Sequence, residues 1–563
     1  MTLRKITFLL IILYTSGCSN KAHLKKGLIT RQAMVVSAHP LATAIGVDIL
    51  QHGGNAIDAA IAVQFALSVV YPDAGNIGGG GFLVLRQADG TIDALDYREV
   101  APVAAHQNMY LNKEGEVIKG LSEKGHLAAG VPGTVDGMVK AHKKYGSMPW
   151  KELIEPAILL AAEGFPLTKK EAKKLNKHRG DFIKYNTQRP EFILKGRWKK
   201  GDTLRLKDLA YTLELIRDKG RSGFYEGTTA DNILAEMRRG GGIISHQDLA
   251  NYHSIWREPL TAKVGIYKII SMPPPSSGGI ALIQLLMASK DFSLDKWGWN
   301  TAKTAHLMVE VEKRVYADRA THIGDPAFYN VPIKGLLDTA YIQQRMEDFS
   351  MKKARKSKKV SPGKPFPKES PNTTHYSIID QQGMAVSVTT TLNSSFGAKV
   401  FVGGAGFLLN NEMDDFSSKP GHPNSYGLIG GEANAISPGK RMLSSMTPTI
   451  LEKEGKLFMV VGAMGGSTII TTVYQIIQNV TTHGFSMQGA VNAGRFHHQW
   501  KPNWILSEWG ALGVGSSLKL WLKGHKIAPK IGGIGRAAAI LVLPEGKLEA
   551  GADPRGDDAA AGF

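Results

Sequence analysis

The stretch that most constrains this chain covers residues 352–380. A basic, proline-studded run over 352–371 gives way abruptly to alternation, with Tyr376, Ile378 and Asp380 on one face of a strand and Ser377 and Ile379 on the other. The run reads as a solvated connector, about as long as a structureless loop gets inside a compact domain without a functional reason. Thr373 and Thr374 stand at the joint. One reading is that they merely open a β-strand. The other is chemical: cutting the Asn372–Thr373 bond would leave a hydroxyl nucleophile and a free α-amine on one residue. That amine titrates near pH ~8 and can act as general base for its own side chain. Taken locally, the sequence favours the first reading.

The N-terminus predicts export. Arg4 and Lys5 precede an apolar run over 6–14 and then Thr15-Ser16-Gly17-Cys18, the pattern of a signal peptide ending at residue 18 and too short to span a bilayer. Small residues before the chain's one cysteine also resemble a bacterial lipoprotein box in which Cys18 is lipidated, although Thr15 stands where leucine is usual. A plain signal peptide is the other reading. Both give an exported protein of the bacterial periplasm, with no internal disulfide and no cysteine catalysis. The net charge of +19 sits largely in runs such as 169–177 and 352–359, with no zinc-ligand spacing or RNA-binding signature beside them. It therefore reads as a solvated basic surface, not a nucleic-acid site. At 563 residues, 43% of them apolar and 21% charged, the chain can build two domains or one large α/β unit.

In order, the patterns predict a strand over 34–37 and helices over 41–50 and 56–70, broken by Gly53-Gly54-Asn55. Asn76-Ile77-Gly78-Gly79-Gly80-Gly81 feeds a strand over 82–85 instead of a helix, so a tightly packed hairpin replaces a phosphate loop. Its second strand ends in Asp96-Tyr97-Arg98-Glu99. From 130 to about 300 the chain reads as mostly helical, with Met272-Pro273-Pro274-Pro275-Ser276-Ser277-Gly278-Gly279 setting the entry of a helix over 280–287. A further helix covers 306–319. In the C-terminal third, a hairpin over 373–380 and 385–392 turns at Gln381-Gln382-Gly383. A strand over 457–461 then runs into Gly465-Gly466-Ser467 and a helix from 468 to about 480, with Ser467 as N-cap. Two glycine amides at such a joint suit a developing oxyanion, and a tight turn that needs glycine only for packing explains them as well. His497-His498 lacks a spaced partner and reads as a packing pair, not a metal site. No Gly-x-Ser-x-Gly or His-Glu-x-x-His occurs.

Several longer motifs carry a resemblance. Gly53-Gly54-Asn55-Ala56-Ile57-Asp58-Ala59-Ala60, Gly78-Gly79-Gly80-Gly81-Phe82, Asp96-Tyr97-Arg98-Glu99, Gly130-Val131-Pro132-Gly133-Thr134 and Trp256-Arg257-Glu258-Pro259-Leu260 appear in order. The most specific are Asn372-Thr373-Thr374-His375-Tyr376-Ser377, Leu409-Asn410-Asn411-Glu412-Met413-Asp414-Asp415-Phe416 and Leu443-Ser444-Ser445-Met446. With these the chain resembles the γ-glutamyltransferases (γ-glutamyltranspeptidases, glutathione hydrolases), N-terminal-nucleophile hydrolases, from about residue 34 to 563.

The resemblance implies an α/β (α+β) fold, a four-layer αββα sandwich, made as a precursor that cuts itself at Asn372–Thr373. The pieces would be a large subunit, 19–372, and a small catalytic subunit, 373–563, held as a heterodimer. Thr373 would be the nucleophile and Thr391 would orient it, with the Gly465 and Gly466 amides as oxyanion donors. Arg98 would bind the α-carboxylate of a γ-glutamyl group with Ser444 and Ser445. Glu412, Asp415 and Asn393 would hold its α-ammonium, and Tyr426 would belong to a lid over the pocket. Substrates would be glutathione and related γ-glutamyl compounds, with water or an amino acid or dipeptide as acceptor, and no metal or cofactor. Met464 stands where the family usually has proline, and Gly494 where Asn-Ala-Pro-Arg-Phe is common. An acylase of the same fold with another acyl group, such as a cephalosporin side chain, is the second enzyme reading. An inactive envelope protein is the third.

Overall fold

The computed structural model describes residues 23–364, 374–419, 421–425 and 427–563. Cys18, Asn372, Thr373 and Tyr426 lie outside the described residues. Two seven-stranded sheets, every strand pair in them antiparallel, form the centre.

The first sheet uses β2 (Met34–Ser37), β3 (Gly80–Arg86), β4 (Ile92–Tyr97), β5 (Ile255–Arg257), β8 (Thr374–Ile379), β9 (Ala385–Thr391) and β14 (Ala559–Gly562), in the order β14-β2-β8-β9-β3-β4-β5. The second uses β1 (Ile29–Thr30), β6 (Leu260–Val264), β7 (Tyr267–Ser271), β10 (Thr449–Lys453), β11 (Lys456–Met464), β12 (Arg536–Val542) and β13 (Leu548–Ala552), in the order β1-β13-β12-β11-β10-β7-β6.

The pleat decides what each face buries. Phe82, Val84, Ile379 and Ala385 of the first sheet meet Ile270, Ile450, Val460 and Ile540 of the second in a dry middle layer. The alternate residues, Leu83, Tyr376, Ile378 and Val388, point outward onto α1 (Pro40–Gln51) and α2 (Ala56–Val70). Leu451, Met459, Val461 and Ala539 point the other way, onto α3 (Gly278–Ser289), α4 (Ala302–His322) and α5 (Thr468–Thr481). The expected assignment of Tyr376 and Ile378 to one face and Ser377 and Ile379 to the other holds, and the layers stack helix–sheet–sheet–helix as the resemblance implies. Helix α2 is buried along its whole length. Its alanines keep it close to the sheet, and Asn55 caps it in a reciprocal box with Asp58, worth about 1 kcal/mol.

The Gly78–Gly81 run does what a hairpin requires. A Cβ at Gly79 would stand 2.0 Å from the Thr391 carbonyl oxygen, and one at Gly81 would stand 2.4 Å from that of Thr389. One expectation is extended and two are corrected. The span 130–300 is mostly helical as expected, but an unforeseen stretch over 255–271 forms the short strands β5, β6 and β7, which complete both sheets. The connector is not a loose solvated loop as far as residue 364. The Trp500 indole donates to the Ser357 and Val360 carbonyls (3.0 and 2.9 Å), and Gly363 N–H donates to Asp318 (2.8 Å). Ser467 occupies the N-cap position of α5, but its hydroxyl bonds Gln499 (2.7 Å) instead of a helix amide. Among the described residues, no helix is long and apolar enough to cross a membrane.

Candidate active site

Strand β4 delivers Arg98 into a fully buried pocket ringed by acids. Its Nη1 lies 2.7 Å from Glu412 and 3.4 Å from Glu99, and its Nη2 lies 2.7 Å from Asp415. Nε donates to the Met442 carbonyl (3.2 Å) and Nη2 to that of Leu443 (3.0 Å), tying the guanidinium to the chain just before Ser444. Glu412 and Asp415 come from one 3-10 turn, Glu412–Asp415, so a single turn supplies both carboxylates. Asn410 anchors that turn by bonding the backbone of Gly78 and Gly130.

Three carboxylates surround one guanidinium, and the charges do not cancel. Burial works against the charge of Arg98, but Glu412, Glu99 and Asp415 outweigh it and hold it firmly protonated. Burial, then the charge of Glu412, pushes Glu99 and Asp415 well above the usual carboxylate range. Burial raises Glu412 too, against the pull of Arg98 and a hydrogen bond from the Thr391 hydroxyl. A second positive charge placed here would relieve all three acids.

Thr391 ends β9 and links this cluster to β8, the strand that begins at Thr374. Its hydroxyl accepts from the Asn393 N–H (2.6 Å), and Asn393 is held in the left-handed region (φ 69°) while its amide donates to the Asn411 carbonyl (2.9 Å). The β8–β9 ladder begins at Thr374 opposite Thr390, one position before Thr391. His375 then turns into the middle layer, between Thr389 (3.1 Å) and Ser377 (2.9 Å), where burial lowers its pKa to about 3. A Cβ on Gly462 of β11 would meet that ring at 2.4 Å, so the strand leading to Gly465 passes against the strand that begins at Thr374.

Gly465 (φ 134°) and Gly466 (φ 62°) make the turn from β11 into α5. A side chain at Gly465 would also strike Thr468 Oγ1 at 2.6 Å and Gly535 Cα at 2.8 Å. Helix α4 ties this turn to the serine pair. Tyr316 donates its hydroxyl to the Ser467 carbonyl, and one turn along Arg319 donates to Ser277 Oγ (3.2 Å) and Ser445 Oγ (3.4 Å). Ser444 is clamped between the Pro275 carbonyl (3.0 Å) and the Ser277 N–H (2.9 Å). Arg98, Glu412, Asp415, Thr391 and Asn393 are thus joined in one network, and the serine pair shares α4 with the glycine turn.

Glu99, Arg319, Tyr316 and Ser277 were not singled out by sequence reasoning. The signal for Glu99 was its place beside Arg98, and for Ser277 the serine pair of the Pro-Pro-Pro-Ser-Ser segment, which clamps Ser444 as well as opening a helix. Met464 packs beneath the turn, with the Tyr71 hydroxyl 3.9 Å from its sulfur. Gly494 packs directly on Ala511, 2.8 Å from any Cβ it could carry. His497 and His498 are buried packing residues as expected, the former bonded to Thr471 (2.8 Å) and Gln499 (3.0 Å). Elsewhere, His306, Glu310 and His525 bring ligand-type atoms within 4.8 Å of one another. A His306–His525 hydrogen bond (2.7 Å) and the cations of Lys313 and Arg314 on Glu310 already use those atoms.

The family profile described as gamma-glutamyltranspeptidase matches residues 42–563. The chain belongs to the γ-glutamyltranspeptidase family. The glutathione hydrolase proenzyme of Escherichia coli (strain K12) is 45% identical over 537 residues, covering 95% of this chain and 92% of that one. The glutathione hydrolase proenzyme of Pseudomonas sp. (strain A14) is 48% identical over 497 residues, covering 88% and 86%. Among solved structures, a cephalosporin acylase from Bacillus halodurans superposes with a TM-score of 0.85 at 28% identity, over 96% of this chain and 97% of that one. The sandwich is therefore the N-terminal-nucleophile hydrolase fold of this family.

Proposed function

We propose that this chain is a self-processing γ-glutamyltransferase and glutathione hydrolase. The observation that carries the reading is the buried guanidinium faced by more carboxylates than it can neutralise. A γ-glutamyl head brings an α-carboxylate for the Arg98 fork, assisted by Ser444 and Ser445, and an α-ammonium for Glu412 and Asp415, with Asn393 beside them. Binding this zwitterion adds one charge of each sign, and its ammonium meets the anionic surplus. Tyr426 would belong to the covering loop.

Maturation begins when the Thr373 hydroxyl attacks the Asn372 carbonyl. The amide nitrogen leaves, the acyl group passes to oxygen, and water cleaves the ester to give a carboxylate on Asn372 and a free amine on Thr373. The large subunit is then 19–372 and the small subunit 373–563. In catalysis the same amine takes the hydroxyl proton as oxygen attacks the γ-carbonyl of glutathione, and returns it to the departing nitrogen of the dipeptide. Thr391 orients the nucleophile. The Gly465 and Gly466 amides take the oxyanion, an effect of about 3 kcal/mol per donor in acyl transfer. Water or an amino acid or dipeptide resolves the γ-glutamyl–threonine ester. Residues 1–18 direct export to the periplasm; in the alternative, lipoprotein reading the cut falls before Cys18, and the lipidated cysteine stays as the first residue of the large subunit.

The test pairs purified wild type with Thr373→Ala on a denaturing gel and in a γ-glutamyl-anilide assay. Two bands and anilide release are expected for the wild type, and one inactive band for the variant. A wild type that remains one chain rejects the self-processing scheme. Two bands without anilide release, but with turnover of a cephalosporin side-chain amide, favour the acylase reading that the Bacillus halodurans likeness raises.

A further inference from the structure

Helix α6 (Val514–Leu522) turns an apolar face to the outside. Val514, Leu518, Trp521 and Leu522 recur at the spacing of one helix face and are all exposed, Val514 at 83%, while Leu520 points into the core. Two neighbouring loops expose apolar side chains as well. Trp509 is 97% exposed and Ile531 is 94% exposed, and a hydrogen bond from Lys530 N–H to the Ser507 carbonyl (2.8 Å) holds those loops together. Singly exposed apolar residues are ordinary, but a group of this size on one helix and two neighbouring loops marks an interaction surface.

The border of this face is basic. Residues 501–530 hold Lys501, Lys519, Lys523, Lys526 and Lys530 against one acid, Glu508, whose carboxylate Arg555 already takes (2.6 Å). The basic run 352–359 lies alongside. Ala354 N–H donates to the Lys523 carbonyl (2.7 Å) and Ser357 Oγ to Asn503 (2.7 Å), which sets exposed Lys352, Lys353, Lys356 and Lys358 on the same flank. Part of the charge that sequence composition treats as a generic solvated surface, the 352–359 run, therefore lies on the flank of an apolar patch.

The segment leading into α6 is tied to the body of the molecule. His23, the first described residue, packs on Trp299 (4.5 Å between ring centres), and the neighbouring Asn300 donates to the Ala511 carbonyl (2.9 Å), just ahead of α6.

We propose that this face docks on an anionic lipid bilayer, with α6 lying in the plane of the interface. The aliphatic side chains and Trp509 and Trp521 enter the boundary between headgroups and acyl chains, and the lysines meet lipid phosphates. The inference rests neither on the γ-glutamyl reading nor on acylation of Cys18. A nucleic-acid partner would use the lysines but leave the aliphatic face without a role, and a second copy of the chain would bring the same lysines against one another.

The experiment uses the full chain carrying Cys18→Ser, purified after export, and the same protein carrying L518S/W521S. Each is sedimented with phosphatidylcholine vesicles and with vesicles containing about 30% phosphatidylglycerol, at about 0.15 M salt. The parent should sediment with the anionic vesicles only. L518S/W521S should reduce the bound fraction at least ~10-fold, with unchanged melting temperature and unchanged anilide turnover in solution. Brominated lipid should quench tryptophan fluorescence in the parent more than in the variant. Equal sedimentation of the two proteins, or a parent that stays in the supernatant, overturns the proposal. So does light scattering that finds a dimer in the parent but not in the variant, which would make the face a self-association surface.

Discussion

Two ion clusters in this molecule, one wholly buried and one buried on α4 but open to solvent at Asp348 and Arg355, differ in charge balance. Around Arg98, three carboxylates share one guanidinium. On α4, Glu310 faces both Lys313 (2.7 Å) and Arg314 (2.9 Å), and Asp348 faces both Arg314 (2.5 Å) and Arg355 (2.8 Å). The second cluster is complete in itself, since every carboxylate has its cations. It holds the connector against α4, and the Arg355 backbone N–H joins it through Glu310 (3.1 Å). The first cluster is short of positive charge. Burying ions costs several kcal/mol each before pairing repays it, and around Arg98 that pairing is incomplete. Balance distinguishes a strut from a receptor.

The strongest way to break this comparison is Arg314→Met, which leaves Glu310 with Lys313 alone and Asp348 with Arg355 alone. It should cost roughly 1–3 kcal/mol in urea unfolding, from the lost charge-assisted bonds to Glu310, while the KM for a γ-glutamyl anilide stays within about twofold. Arg98→Lys keeps a charge but loses the fork. We expect kcat/KM to fall about 100-fold, mostly through KM, with a smaller loss of stability. If the Lys variant unfolds easily yet binds normally, the roles of the clusters are reversed.

Buried histidines provide the case of burial without any counter-charge. His375 is lowered to about 3 and His497 to about 4, chiefly by burial. Each stays neutral in the folded chain, whereas the unfolded chain takes up a proton below about pH 6.5. Their stabilisation is present above that pH and is lost on acidification, by about 1.4 kcal/mol per pH unit per histidine, until the folded pKa is reached. His375→Gln should lower the slope of unfolding free energy between pH 6 and 4 by about that amount, in calorimetry across the range.

The smallest effect sharpens the comparison most. Glu99 has a raised pKa, so its ionised form costs stability, and that cost appears only as pH rises above the unfolded value of about 4.3 toward the folded one. Glu99→Gln removes it. The variant should melt slightly higher than wild type at pH 8, by about 2 °C, with the gap closing toward pH 4. A variant that melts lower at pH 8 would mean Glu99 is needed to balance Arg98.

Periodicity made much of this fold legible. The alternation at 376–380 assigned faces correctly, and the apolar run of α2 gave that helix its observed bounds. Strands β5 to β7 were not visible, because they are short and only Leu260-Thr261-Ala262-Lys263-Val264 alternates clearly. The packing of 352–364 was also hidden. Its partners are backbone carbonyls taken by Trp500 and Lys313, and carbonyls are the same in every sequence. At the site, motif resemblance supplied Arg98, Glu412 and Asp415. It could not supply the charge surplus, which exists only once the 412–415 turn brings two acids to the Arg98-Glu99 pair. Nor could composition show that lysines far apart in sequence border one helix face.

The strand order holds a last consequence. In the first sheet β2 lies between β14 and β8, and in the second β7 pairs with β10. A cut between 372 and 373 would leave β2 and β7 on one polypeptide and β8, β10 and β14 on the other. The two products would be laced through both sheets, with the Phe563 carbonyl still gripping the amides of Arg31, Gln32 and Ala33. Such halves have no face along which to part, so dilution should not separate them, and mixing halves made apart should not rebuild the enzyme. Such a cut would free a chemical group without freeing a subunit.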